Sequence, residues 1–123
     1  MSAPAYGART PNQIRWEARL WVAQRASAMV LALCVLVHLA TIVFAVRGGL
    51  SAAEILGRTR GNVAWLSFYI LFIAAVAVHA PIGLRSIVAE WFGWRGRSLD
   101  LAAALFAAFI MAAGLRTALG LYA

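Results

Sequence analysis

Lysine is absent from this chain, cysteine occurs once, and acidic residues number four in 123 positions. Without Lys, eleven arginines set the formal charge of +7 against Glu17, Glu54, Glu90 and Asp100. The single Cys34 excludes an intrachain disulfide and a Cys-based zinc site. Charged residues make up 12% of the chain, where soluble domains average about 25%. Instead 64% of residues are hydrophobic, and the mean hydropathy is +0.84. A water-soluble fold of this size cannot hide that much apolar surface. This excludes a soluble enzyme with its own cleft, a disordered regulator and a DNA-binding domain. The pI near 11.4 would suit nucleic acid, but the arginines lie between apolar blocks and read as membrane-flanking charge.

Ala26 to Val46 carries no charged side chain over 21 residues, and Val63 to Leu84 none over 22. A third apolar block starts at Leu101 and is interrupted by Arg116, which can snorkel to the nearer interface. A bilayer core takes about 20 apolar residues as helix. The expected fold class is therefore an all-α integral membrane protein with three transmembrane helices, at about 26–46, 63–84 and 101–120. A cleavable signal peptide fits poorly, because the first apolar block is too long and no clear cleavage site follows. Arg9, Arg15, Arg19, Arg25, Arg85, Arg95 and Arg97 fall on one side, and Arg47, Arg58, Arg60 and Arg116 on the other. That bias places the N-terminus in the cytoplasm. Trp16, Trp21, Trp91 and Trp94 share that side, as an aromatic belt would. Residues 1–20 read as a cytoplasmic tail and 21–123 as the three-helix membrane domain; Met1 to Asn12 is a loose tail, and Gln13 to Trp21 could form a short interfacial helix. Ser51 followed by Glu54 fits a capping box that starts a short helix over Ala52 to Arg58. Gly93, Gly96 and Ser98 mark a turn in the second loop.

His38 and His79 stand in the first two spans. Ionisable groups inside a span mark a functional site by default, and imidazole there suits haem ligation or proton transfer. Hydrogen bonding between helices is the bland alternative. Gly83 lies one turn beyond His79 on the same face, where a missing side chain would admit a flat macrocycle or simply a neighbouring helix. Pro81 leaves the Ala77 carbonyl without its helical partner. Arg85 at the interface suits a propionate or a lipid phosphate. His38 shares a stripe with Ser27, Cys34 and Thr41, a face turned toward protein rather than lipid. Gln24, Arg25 and Ser27 open the first span and could bind a quinone carbonyl, or serve as a positive-inside anchor. On the third span Ala104, Ala108 and Ala112, continued by Arg116 and Gly120, read as a helix-packing stripe.

With these elements in place, the sequence resembles the cytochrome b membrane-anchor subunits of succinate dehydrogenase and fumarate reductase. Their second helix carries a His-x-x-x-Gly-hydrophobic signature, often followed by Arg and an acidic residue; here these are His79, Gly83, Leu84, Arg85 and Glu90. Their first helix opens with a His/Gln-Arg-x-Ser/Thr-Gly/Ala element, matched by Gln24, Arg25, Ser27 and Ala28. The resemblance implies haem b on His79, with Gly83 and Arg85 beside it, and a ubiquinone or menaquinone pocket at Gln24, Arg25, Ser27, Glu90 and Trp91. Trp91 stands where one anchor type carries Tyr, and Trp21 where some members carry Ser. At about 1.5 Å per residue, His38 lies roughly 20 Å beyond Arg25, whereas His79 lies only about 9 Å from Arg85 on the same side. His79 is then expected to pair with a histidine of another chain, leaving His38 for a second haem or a structural role.

The function expected is that of a subunit of succinate:quinone oxidoreductase, not catalytic alone, passing electrons between an iron–sulfur subunit and quinone in a bacterial inner membrane. No nucleotide-binding fingerprint or Cys cluster is present, so flavin and iron–sulfur centres belong to partner subunits, beside a second anchor chain and lipid. The rival reading is a haem-free structural anchor or small transport subunit. Transporters more often carry an acidic residue inside a span, and none lies within these spans.

Overall fold

The computed structural model describes residues 9–123. It is all helical: α1 (Pro11–Arg47), α2 (Ala52–Thr59), α3 (Val63–Phe92) and α4 (Arg97–Tyr122). The helices α1, α3 and α4 are each long and apolar enough to cross a membrane. Of the tail expected before α1, residues 1–8 lie outside the described residues.

α1 starts where the sequence provides a start. Thr10 is its N-cap in a reciprocal capping box with Gln13, and Pro11 occupies the first turn. From there 37 residues run without a break. Gln13 to Trp21, expected as a short interfacial helix leading into the first span, is the opening of α1 and continues into it without a break, because no Gly or Pro stands between Gln13 and Ala26 to turn the chain. At 1.5 Å per residue α1 is about 55 Å long, well over the roughly 30 Å of a hydrocarbon core. Its arginine-bearing opening turns project beyond the apolar layer.

α3 is the central element and packs on both α1 and α4. The face of α1 toward α3 is Leu20, Gln24, Ser27, Leu31, Cys34, His38, Thr41 and Ala45, each buried or half-buried. Their alternating steps of four and three residues are the spacing of a coiled-coil seam. The stripe that joins Ser27, Cys34, His38 and Thr41 does turn toward protein. Opposite it run Trp65, Tyr69, Phe72, Val76, His79 and Gly83 at the same spacing, all half-buried. On the other side of α3, Gly114 of α4 meets Ile73 so closely that an added Cβ would lie 2.7 Å from Ile73 Cγ2. Leu99 and Ala118 bury on this contact. The small-residue stripe expected to pack, Ala104, Ala108, Ala112, Arg116 and Gly120, instead faces outward. The packing face of α4 is rotated from it, through Leu99, Ala103, Ala107, Gly114 and Ala118. Its anchors are the Gly114 notch and the larger Leu99, which a search for repeated alanines passes over.

α2 straps the end of the bundle opposite Arg25. The expected capping box forms: Ser51 N donates to Glu54 Oε2 at 2.6 Å, and Glu54 N to Ser51 Oγ at 3.2 Å. Gly61 N donates to the Tyr122 carbonyl at 2.9 Å, tying the strap to the last turn of α4. At the other end α3 stops on Gly93, whose φ of 65° is the left-handed C-cap. Gly96 at φ 98° completes the turn, and Ser98 already belongs to α4.

Two outcomes follow from these contacts. Gly114→Ala should destabilise the α3–α4 pair by about 1–3 kcal/mol through overpacking on Ile73, whereas Gly120→Ala, with nothing within 4 Å, should not; thermal unfolding midpoints in detergent separate the two. Main-chain and side-chain hydrogen bonds with Ser51, aided by Arg58, hold the Glu54 carboxyl below its ordinary 4.5. The cap is therefore at full strength above that ordinary value and weakens as pH falls through the lowered folded one. Hydrogen-exchange protection of residues 52–59 should fall on that descent in the native chain and stay flat in Glu54→Gln.

Candidate functional site

The two histidines both lie on the α1–α3 seam. His79 is half-buried, and its Nδ1 is sealed from solvent with no hydrogen-bond partner. His38 shows the same orphaned Nδ1. Its ring meets Tyr69 edge-on at 6.0 Å and Phe72 at 5.6 Å between centroids. Tyr69 and Phe72 precede His79 on α3 by ten and seven residues, or roughly 10–15 Å along the helix. The two imidazoles therefore stand at different depths along the seam.

The notch at Gly83 is filled. An added Cβ there would lie 3.2 Å from Gln24 Nε2, so the side chain of α1 occupies the space that sequence reading left open to a macrocycle. The Gln24 Oε1 is itself buried without a partner. Ser27 is buried as well, and its Oγ donates to the Gln24 carbonyl at 3.1 Å. Arg25 next to them is exposed, with its guanidinium 5.3 Å from the Trp21 ring centroid. Glu90 is exposed, and Trp91 is 79% exposed. The residues grouped at this end by sequence thus form an open surface rather than a closed pocket.

Arg85 has a partner that the sequence reading did not assign. Its Nε donates to Asp100 Oδ1 at 2.6 Å, pinning the end of α3 to the first turn of α4. Six residues at 100° each carry Arg85 about 120° around α3 from His79, toward α4. The pair closes one end of a groove of about 310 Å³ whose walls include Trp16, Leu20, Ala77, Pro81 and Ala103. Asp100 had a signal in sequence: an acid in the first turn of a helix that starts at the interface carrying Arg85. Pro81 does not interrupt α3, which runs through it.

Among the described residues, no three His, Cys, Asp or Glu side chains gather to hold a metal ion. A metal centre built from protein ligands alone is therefore not formed there. Haem asks less of a chain, because the macrocycle supplies four of the iron ligands and the protein only axial ones. A half-buried imidazole with no internal hydrogen bond is compatible with that demand.

The chain matches the family model described as succinate dehydrogenase/fumarate reductase transmembrane subunit over residues 3–115. With nearly its whole length matched, the chain belongs to this family, the membrane subunits of those complexes. No curated protein and no solved structure matches it. The Gly83 crossing yields a paired test: Gly83→Ala should lower the unfolding midpoint in detergent, and adding Gln24→Ala should restore part of the loss. A strictly additive double variant would show that the two side chains do not meet.

Proposed function

We propose that this family member is the haem b-binding anchor of a succinate dehydrogenase or fumarate reductase complex, passing electrons between an iron–sulfur subunit and membrane quinone. The observation that carries the reading is His79, an imidazole at bilayer depth whose Nδ1 is buried and unpartnered. Uncompensated burial of a polar group is costly, and a ring held for ligation is a reason to keep one there. Haem bound at His79 supplies a one-electron relay between the iron–sulfur subunit and quinone. A second histidine for the haem would come from another anchor chain, same or different, because His38 packs beside Tyr69 and Phe72, roughly 10–15 Å along the bundle from His79.

The chain's own contribution at the quinone end is binding and orientation. Arg25, steadied on Trp21, directs its cation at a quinone carbonyl, with Gln24 and Ser27 shaping the helix behind it. Glu90 or nearby water relays a proton to the reduced product, and the Trp91 indole N–H donates where a phenol would otherwise stand. Arg25, Glu90 and Trp91 lie open on the surface, so a partner subunit closes the site. Arg85 can offer only its terminal nitrogens to a propionate, since Nε is engaged by Asp100. The arginine bias supports an orientation with this end and the N-terminus on the cytoplasmic side of a bacterial inner membrane, facing the flavoprotein and iron–sulfur subunits.

A dithionite-reduced minus oxidised spectrum of the purified complex tests the proposal. Split haem b bands are expected, abolished by His79→Ala and retained in His38→Ala. A colourless wild-type complex would sink the cytochrome reading in favour of a haem-free anchor. In the same preparation Arg25→Ala should cut quinone-dependent turnover by on the order of tenfold or more while leaving those bands in place.

A further inference from the structure

A cleft of about 560 Å³ opens at the end of the bundle opposite Arg25, between the last turns of α1, the strap α2 and the first turns of α3. Apart from His38, none of its lining residues enters the haem and quinone reading, and the chemistry of the cleft stands independently of that reading. At its mouth stands Arg58, with the guanidinium 5.7 Å from the Phe44 ring centroid. The nearest acid in sequence, Glu54, directs a carboxylate oxygen to the Ser51 amide. Among the described residues Arg58 has no ion pair; the two that form are Arg9–Glu17 and Arg85–Asp100. Arg47 and Arg60 add positive charge at the same end, on the side where membrane proteins usually carry less of it.

Deeper in the cleft the chemistry changes. Thr41, Thr59 and the Asn62 amide nitrogen spend their donors on backbone carbonyls. That leaves the Tyr69 hydroxyl, the Trp65 indole and the His38 imidazole to face an occupant. Tyr69 lies seven residues into the bilayer from Asn62, or about 10 Å at helical rise. From mouth to base the order is a cation that forms no ion pair although its charge reaches Glu54, then neutral hydrogen-bond donors, then lipid hydrocarbon beyond.

We propose that the cleft is a binding site for one anionic diacyl phospholipid. Its phosphate rests on Arg58, its ester carbonyls accept hydrogen bonds from the Tyr69, Trp65 and His38 level, and its acyl chains leave along the outside of α1 and α3. A glycerophospholipid presents acceptors in that order and spacing, and Arg58, with Arg47 and Arg60 at the same end, supplies the charge complement.

The full-length chain, purified in mild detergent with the subunits that accompany it, is transferred to phosphatidylcholine nanodiscs. It is then titrated with phosphatidylglycerol and read by native mass spectrometry. One phosphatidylglycerol per chain should be retained, undisturbed by millimolar inorganic phosphate. Arg58→Gln should weaken retention about tenfold, and Tyr69→Phe by a smaller factor. The proposal is overturned if Arg58→Gln retains the lipid as the native chain does, or if phosphatidylcholine is held equally well. Displacement by inorganic phosphate, or a quinone released from the cleft in place of lipid, would overturn it too.

Discussion

Helices in hydrocarbon gain little by hiding apolar side chains from one another's surroundings, since lipid tails are as apolar as leucine. What holds α1 to α3 must therefore be close approach, since Ser27 Oγ and Thr41 Oγ1 donate to carbonyls of α1 itself while Gln24 Oε1 and both histidine Nδ1 atoms have no partner. The seam is built accordingly, from Gln24, Ser27, Cys34, His38 and Thr41 against Tyr69, His79 and Gly83. Both histidines belong to it, so the candidate cofactor chemistry and the helix packing are made from the same side chains. Large apolar groups such as Met29, Leu33 and Phe44 are left on the outside. That arrangement inverts the plan of a soluble bundle, and it explains why so little of this chain is buried within itself.

The second contact, α3 against α4, is made differently. The Gly114 notch receives Ile73, and a single ion pair joins Arg85 to Asp100 at one end. α3 is thus fixed on two sides, while α1 and α4 flank it. The outward faces of all three spans carry large apolar side chains such as Met29, Leu71 and Leu105. Such faces suit a subunit of a larger membrane assembly, in agreement with the family to which the chain belongs.

Much of this was legible in the residues. The three spans follow from charge-free runs, the α2 start from Ser51 and Glu54, and the inward face of α1 from the spacing of its small polar groups. The start of α1 was not, because Trp16, Trp21 and four arginines look like a surface segment although nothing in them breaks a helix. The packing face of α4 was missed for a related reason: alanines repeat on two faces, and only the partner Ile73 decides between them. At Gly83 the sequence left macrocycle clearance and helix packing both open, because it shows that a side chain is missing but not that Gln24 of another helix stands beside the space. The Arg85–Asp100 pair was out of reach of any reading that took the helices one at a time.

The hydrogen bond from Gly61 to the Tyr122 carbonyl joins positions 61 residues apart, one just after the strap and the other in the last turn of α4. The α1–α3 seam has all its parts once Phe92 has been made, but the strap cannot reach its tie until α4 is complete and inserted. The two ends of the bundle therefore mature at different times: the histidine seam can form before α4 exists, and the strapped end closes only after it.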